Sequence, residues 1–487
     1  MRVLIINSNR ERSPWPVPPV GACAVASGAE QAAHQVRFLD LCFVRRVEAR
    51  VASEIEHFRP EIIGISVRNI DNVDWQAPRF YLGEVKRRVV DACKARASCP
   101  VAVGGPAASI MPREMLEYLD ADFVICGDGE VAFVQLLEAL SGRRSPADVA
   151  GLTYREGGSV RSNPPARVED LDSLPMPQPH RWLDLRRYLA YNASLGIQTK
   201  RGCSLSCTYC VYNRIEGSCY RLKSPRRVAA EVDQAVNENH VPCVEFVDST
   251  FNIPLPHALS ICRMLIAGRF AARFSTMGIN PGSATEELFG LLREANFTEA
   301  SLTPETASPR ILKSLGKNFT LDDLVRAART SRKAHLPIVW YFMFGAPGEN
   351  EETVAETLAF IDEHIPRTHL ALMVSGIRIF KGSELEAQAR REGQLKAQDD
   401  LLHPVWYRPE IQRQRLFALL DEAMLRRPNC IALQDNQVPQ QLLRAASAIQ
   451  RFLHSRRPLW EYMRHVRRLQ SALGLPRHLL AGGRMSA

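Results

Sequence analysis

No apolar run in the chain reaches the roughly 18 residues that mark a membrane span. The opening Met1-Arg-Val-Leu-Ile-Ile-Asn7 has neither the apolar core length nor the small-residue cleavage site of a secretory leader, and reads as a first buried strand. Aromatic residues are sparse at 7%, and no basic run is interleaved with them. The net charge of +9 therefore lacks the stacking pattern of a nucleic-acid groove. It reads as solvated arginine-rich helix faces, or as a patch for an acidic substrate or an anionic electron donor. Internal repeats and low-complexity segments are absent. Most of the 12 cysteines stand alone in apolar stretches (Cys23, Cys42, Cys93, Cys126, Cys243, Cys262, Cys430), as small buried hydrophobes do. A chain of 487 residues needs no disulfide staples, so a reducing, cytoplasmic setting is expected.

The composition, 46% hydrophobic and 24% charged, is that of a packed globule, and the length calls for two or three domains. Within residues 1–145, apolar runs at 3–6, 62–67, 101–103 and 123–126 alternate with amphipathic stretches at 20–33, 49–58, 82–95, 112–118 and 130–140. Strand–helix alternation implies a doubly wound α/β domain that binds ligands at the carboxyl ends of its parallel strands. Residues 146–190, punctuated by Pro164, Pro165, Pro175, Pro177 and Pro179, read as a linker. Across 191–395, six strands are expected at 195–200, 243–247, 273–279, 299–302, 338–344 and 371–379. All but the last precede a helical pattern, as in a partial (β/α)6 TIM-type barrel. Residues 396–487 read as helical, without a convincing strand.

The loop Arg201-Gly-Cys203-Ser-Leu-Ser-Cys207-Thr-Tyr-Cys210 follows the first strand of this second series. Iron–sulfur clusters normally take four thiolates, so three on one short loop would leave one iron open. An open iron can chelate the amino and carboxylate groups of S-adenosylmethionine and reduce its sulfonium, giving methionine and a 5′-deoxyadenosyl radical. The alternative is a zinc site completed by Cys219, although the eight residues between Cys210 and Cys219 do not match paired Cys-x2–4-Cys modules.

With Tyr209 before its last cysteine, Cys-x3-Cys-x2-Cys resembles the signature of the radical S-adenosylmethionine superfamily. The resemblance continues through Val244-Glu-Phe-Val-Asp-Ser-Thr-Phe-Asn252. There Asp248, Ser249 and Thr250 replace the family's Gly-Gly-Glu, which contacts the methionine amino group. Thr303-Pro-Glu-Thr-Ala-Ser-Pro-Arg-Ile-Leu-Lys-Ser-Leu-Gly-Lys317 resembles the fourth-strand segment, which implies that Glu305 and Arg310 contact the ribose and carboxylate. Phe344-Gly345-Ala-Pro347-Gly-Glu349 resembles the loop near the adenine, and Ile377-Arg-Ile-Phe-Lys-Gly-Ser-Glu-Leu385 the close of the barrel. The resemblance implies a [4Fe–4S] cluster on Cys203, Cys207 and Cys210. It also implies S-adenosylmethionine as co-substrate and a reducing partner such as flavodoxin or ferredoxin.

The first domain is similar to the cobalamin-binding domain that precedes the barrel in one branch of the superfamily. The matching segments are Pro60-Glu-Ile-Ile-Gly-Ile-Ser66, Val101-Ala-Val-Gly104-Gly105-Pro106 and Cys126-Gly127-Asp-Gly-Glu130. Gly104 and Gly105 would let backbone approach a large flat ligand, and Ser66 would reach its polar rim. The mutase motif Asp-x-His-x-x-Gly is missing: Asn7-Ser-Asn-Arg-Glu-Arg-Ser-Pro14 has no histidine for cobalt. The domain would place Arg68 near the lower corrin face, where a guanidinium has no lone pair to give the metal and would keep that position vacant. The alternative pairs Arg68 with Asp71 or Asp74. A dinucleotide site lacks its Gly-x-Gly-x-x-Gly, and a scaffold that binds nothing stays open.

The expectation is a cobalamin-dependent radical methylase acting on an unactivated carbon of a small-molecule or natural-product substrate. Another radical reaction (cyclisation, dehydration, epimerisation) and a non-catalytic zinc- or cluster-binding module are the alternatives. Tyr212, Tyr341, Glu245 and His369 are candidate acid–base groups near barrel positions. Trp406, Tyr407, Trp460 and Tyr462 would line a pocket or pack helices.

Overall fold

The computed structural model describes residues 1–165, 167–432 and Trp460. Its first sheet is built from β1 (Arg2–Asn7), β2 (Gln35–Asp40), β3 (Ile62–Ser66), β4 (Val101–Gly104), β5 (Phe123–Ile125), β6 (Leu152–Glu156) and β7 (Ser159–Ser162), in the order β2-β1-β3-β4-β5-β6-β7. β1 to β5 are parallel, and β1 and β3 are almost wholly buried because helices cover both faces. The alternately exposed β2 is an edge strand whose weak apolar signal conceals it in the sequence. The expected linker begins differently from its proline content. β6 and β7 extend the sheet as an antiparallel hairpin, turning at Gly157-Gly158 with positive φ at both residues.

The second sheet contains β8 (Leu195–Ile197), β11 (Cys243–Phe246), β12 (Arg273–Ile279), β13 (Phe297–Glu305), β14 (Ile338–Phe344), β15 (Leu370–Ser375) and β16 (Cys430–Ala432). A two-residue ladder joins β9 (Lys200–Arg201) to β10 (Arg221–Leu222). The larger sheet runs β16-β15-β14-β13-β12-β11-β8 and is parallel throughout, an open barrel walled by helices. β16 lies in the segment expected to be helical. It is only three residues long, and its pairing with β15 supplies what its local sequence does not. That segment also holds the helix Arg413–Arg426. Tyr462 and the remainder beyond residue 432, Trp460 excepted, lie outside the described residues.

The two α/β units share one apolar core. Val103, Met115 and Leu116 of the first belong to the same buried cluster as Ile311, Leu315, Ile377 and Leu385 of the barrel. Fully buried Arg378 pairs with Asp71 at 2.8 Å. Trp75 packs where a side chain at Gly376 would stand, and its carbonyl accepts a 2.7 Å hydrogen bond from Arg413. The loop after β3 is thereby clamped to the carboxyl end of β15. No helix among the described residues is long and apolar enough to cross a membrane.

Candidate functional site

The cysteine loop leaves β9 at Gly202, whose φ of +92° suits glycine and whose missing side chain makes room for the Cys219 carbonyl. The loop is pinned by Cys203 N–H on the Gly217 carbonyl (3.0 Å) and Thr208 N–H on that of Leu315 (3.0 Å). Beneath it, Asp248 accepts from Thr199 N (2.7 Å), Thr199 Oγ1 (2.6 Å) and Lys200 N (3.2 Å). Ser249 donates to the Gly202 carbonyl at 3.0 Å. These two residues shape the approach to the loop, and Thr250 hydrogen-bonds Tyr220, whose hydroxyl is 3.8 Å from Cys203 Sγ.

Cys203 is buried and Cys207 and Cys210 are half-buried, whereas Cys219 is exposed. Burial pushes the Cys210 thiol up to about 11 and raises that of Cys207 against the opposing charge of Lys317. A coordinated metal deprotonates such thiols outright. Among the described residues, no three His, Cys, Asp or Glu side chains converge as ligands of a single ion.

Lys317 forms an ion pair with Glu305, lies 3.4 Å from the Tyr209 hydroxyl and 3.8 Å from Cys207 Sγ. Burial opposes the ammonium charge, but Glu305 and Cys207 outweigh it and hold Lys317 protonated. Glu305 sits in the left-handed region at φ +61°, and its buried carboxylate is held by Lys317 and the Tyr209 hydroxyl. Arg310, in contrast, is half exposed and pairs with Glu410 at 2.8 Å. It borders an outer cavity of 530 Å³ with Pro347, Gly348 and Tyr407. Gly345 has φ +107°; its N–H and that of Ala346 (2.9 Å) are bound by the buried Glu349 carboxylate. Lys317 was missed in the sequence because its proximity to Cys207 depends on the turn at Glu305.

A cavity of 320 Å³ opens at the carboxyl ends of β1 and β3, lined by residues 8–13 together with Val67, Arg68, Asn69, Tyr81 and Arg88 among others. Buried Asn9 Nδ2 and Arg10 Nε have no hydrogen-bond partner there. A side chain on Gly104 would meet only the Ile125 carbonyl at 3.9 Å, so the space above it is open, and Ser66 stands beside it at the end of β3. Gly105 (φ +100°) instead makes room for the chain's own Val67 carbonyl, and Gly127 lies under Arg167. Glu130 pairs with Arg201, and Asp128 with Arg201 and Arg221, tying the first domain to the cysteine loop. Burial works against the Asp128 charge, yet Arg221 and Arg201 outweigh it and hold the carboxyl below its ordinary range.

Arg68 makes no hydrogen bond or ion pair among the described residues. Asp71 belongs to Arg378, and Asp74 accepts from the N–H groups of Gln76 and Ala77. Burial lowers the Arg68 pKa while Tyr212, Glu245 and Tyr81 pull it back, so its charge lies within electrostatic reach of a residue beside the cysteine loop and of one in the barrel interior. Of the candidate acid–base groups, Tyr212 lies two residues past Cys210, and Glu245 and Tyr341 share the barrel interior. His369 accepts from Trp340 Nε1 at 3.2 Å, at the opposite, amino end of β15. Trp406 bridges to Arg378, Tyr407 donates to Glu392 at 2.6 Å, and Trp460 donates to Glu299 at 2.6 Å.

The residues present fit both groups that such a chain requires: three thiols on one loop beside the buried Lys317–Glu305 pair, and a polar cavity at the sheet edge with orphaned Asn9 and Arg10 nitrogens. The model of the radical SAM superfamily matches residues 197–361, and that of the B12 binding domain residues 11–137. The chain is 28% identical over 347 residues to an uncharacterised methyltransferase of Pyrococcus horikoshii, covering 70% of this chain and 72% of that protein. It is 23% identical over 378 residues to the anaerobic magnesium-protoporphyrin IX monomethyl ester cyclase of Cereibacter sphaeroides, covering 73% and 59%. The fold superposes with a TM-score of 0.72 on the radical S-adenosylmethionine methyltransferase TsrM of Kitasatospora setae, solved with cobalamin and a [4Fe–4S] cluster. That match is 23% identical and covers 80% of this chain and 75% of TsrM. Cysteine loop, barrel and sheet-edge cavity thus agree with both domain models, and the chain belongs to the radical S-adenosylmethionine superfamily, in the branch that carries a B12-binding domain ahead of the barrel.

Proposed function

We propose that this protein methylates an unactivated carbon of a small molecule or natural product. One observation carries the reading. The loop bearing Arg68 is clamped to the barrel by Asp71–Arg378 and Trp75–Arg413, so Arg68, which lines the sheet-edge cavity, stands within electrostatic reach of Tyr212 beside the cysteine loop and of Glu245 in the barrel. When bound, the cluster and S-adenosylmethionine supply a 5′-deoxyadenosyl radical for hydrogen abstraction, and cobalamin supplies the methyl group.

The chain's own residues hold these groups. Cys203, Cys207 and Cys210 are the cluster ligands. Glu305 and Lys317 receive the ribose and carboxylate, with Lys317 replacing Arg310. Asp248 and Ser249 hold the backbone at the loop, while Tyr209 and the Gly345–Pro347 turn wall the nucleotide. Ser66, Asn9, Arg10 and the open face of Gly104 would hold the corrin and its tail, and Arg68, in the same cavity, would lie against its lower face. Gly105, Gly127 and Glu130 serve as framework. A cytoplasmic location and a reducing donor such as flavodoxin or ferredoxin belong to the same proposal.

The test is anaerobic reconstitution with iron, sulfide and hydroxocobalamin, then metal analysis and product detection after reduction with S-adenosylmethionine. One cluster and one cobalt per chain, with 5′-deoxyadenosine and S-adenosylhomocysteine both formed, is the expected result. Formation of 5′-deoxyadenosine without retained cobalt or S-adenosylhomocysteine would move the reading to cyclisation or dehydration. Absence of both products would point to a binding module.

A further inference from the structure

The barrel interior has two chemically different walls. On β11, β12 and β13 the even-numbered residues Val244, Phe246, Phe274, Ala300 and Leu302 pack outward into the core, which turns odd-numbered neighbours such as Glu245, Ser275 and Glu299 inward. Glu245, Ser275 and Glu299 therefore form one row across three adjacent strands in register. At ordinary strand spacing the two glutamates have backbones about 10 Å apart. The facing wall, on β14, β15 and β16, is Val339, Leu370, Leu372 and Ile431, a separate apolar cluster on which Tyr341 and Trp460 pack.

The two carboxylates are in different states. Glu299 accepts the Trp460 indole N–H at 2.6 Å. Glu245 accepts no hydrogen bond and joins no ion pair among the described residues, although protein surrounds it. Burial first, and then Glu299, push its pKa up to about 7, with Arg68 opposing from the first domain. Two nearby cations do not complete it. Arg273, one row deeper, donates to Cys243 Sγ at 2.9 Å, and the field of Arg68 is too weak to reverse the upward shift. A carboxylate largely enclosed by protein yet without a protein donor is set to accept a cation that arrives with a ligand, and an organic ammonium is the partner that also presents an apolar body to the facing wall.

We propose that this interior is the substrate subsite, that Glu245 receives the cationic nitrogen of an amine, and that the partly exposed Tyr341 and Trp460 rings covering the facing wall receive its apolar body. The substrate class is a small amphiphilic amine. The inference rests on the radical-enzyme reading above and narrows it.

The experiment titrates reconstituted holoenzyme carrying S-adenosylmethionine with three probes of similar size: 2-phenylethylamine, 2-phenylethanol and phenylacetate. Equilibrium dialysis gives each dissociation constant. The amine should bind at least about ten-fold more tightly than either other probe, as one charge-assisted hydrogen bond allows. Glu245→Gln should reduce the amine to the level of the alcohol, and Glu299→Gln should weaken it less. Equal binding of the three probes by the unmutated enzyme, or preference for the acid, overturns the proposal without any variant. Undiminished amine preference in Glu245→Gln overturns the assignment to this residue. Reductive cleavage of S-adenosylmethionine is measured in the same preparation. Cleavage without amine preference removes this inference alone; amine preference without cleavage removes the radical reading instead.

Discussion

Lys317 holds its ammonium against the Glu305 carboxylate and within 3.8 Å of the Cys207 sulfur, so a single buried cation serves the nucleotide side and the cluster side of the site. Truncating it in Lys317→Met strands Glu305 as an unpaired buried charge, a loss of about 3–5 kcal/mol of stability. Removing both charges in Lys317→Met/Glu305→Leu should recover most of that stability. S-adenosylmethionine affinity should stay low in both variants and recover substantially in Lys317→Arg. Denaturant unfolding and equilibrium dialysis read the two effects separately. Recovery of affinity in the double variant would show that Lys317 acts only on folding.

Cys219 stands apart from the three loop cysteines in exposure, and its carbonyl, rather than its thiol, approaches Gly202. Cys219→Ala should therefore keep a full complement of iron. Alanine at Cys203, Cys207 or Cys210 should each abolish a stable cluster. Loss of metal in Cys219→Ala comparable to that in the other three would restore the four-thiolate zinc reading.

What was legible in the sequence follows from whether the signal is local. Strongly apolar strands such as Val101–Gly104 and the three-cysteine spacing depend on neighbours within a few residues and were found. β2 shows the limit, because an edge strand with Gln35 and Arg37 facing outward carries half the apolar signal. β16 is a strand only because β15 presents an unpaired edge to Cys430–Ala432. The same limit governs the site. Arg310 and Lys317 are both basic residues of one segment, and the left-handed turn at Glu305 contributes to directing the segment so that Lys317, not Arg310, reaches the cysteines. Glu130 looked like a ligand contact and lies instead against Arg201, a partner 71 residues away.

Arg68, free of Asp71 and Asp74, supplies a charge to the cavity at the carboxyl ends of β1 and β3. If it keeps the lower cobalt position vacant, Arg68→Ala should admit a water there and change the electron paramagnetic resonance spectrum of the reduced, one-electron cobalt state. Arg68→Lys should change it less, since an ammonium also lacks a lone pair. Spectra unaltered in Arg68→Ala would sink the assignment and leave Arg68 as a cavity-lining charge.

Asp128 ties the first domain to the barrel through Arg221 and Arg201, with every member of the trio at least four-fifths buried. Asp128→Asn leaves buried Arg221 without its counter-charge, whereas Arg201 keeps Glu130, and a loss of about 3–5 kcal/mol is expected at neutral pH. The pH dependence has a definite sign. The carboxyl is held below its ordinary range, so the stability it contributes is fully present above the unfolded value of about 3.9 and is lost as pH falls through the lower, folded value. Calorimetric melting between neutrality and about pH 3 should thus show a steep acid limb in the natural protein and a shallower one in Asp128→Asn. The two curves should converge in acid, where protonation has already broken the tie in the natural chain. A constant offset between parallel curves would mean that the arginines, rather than the Asp128 charge, hold the domains together.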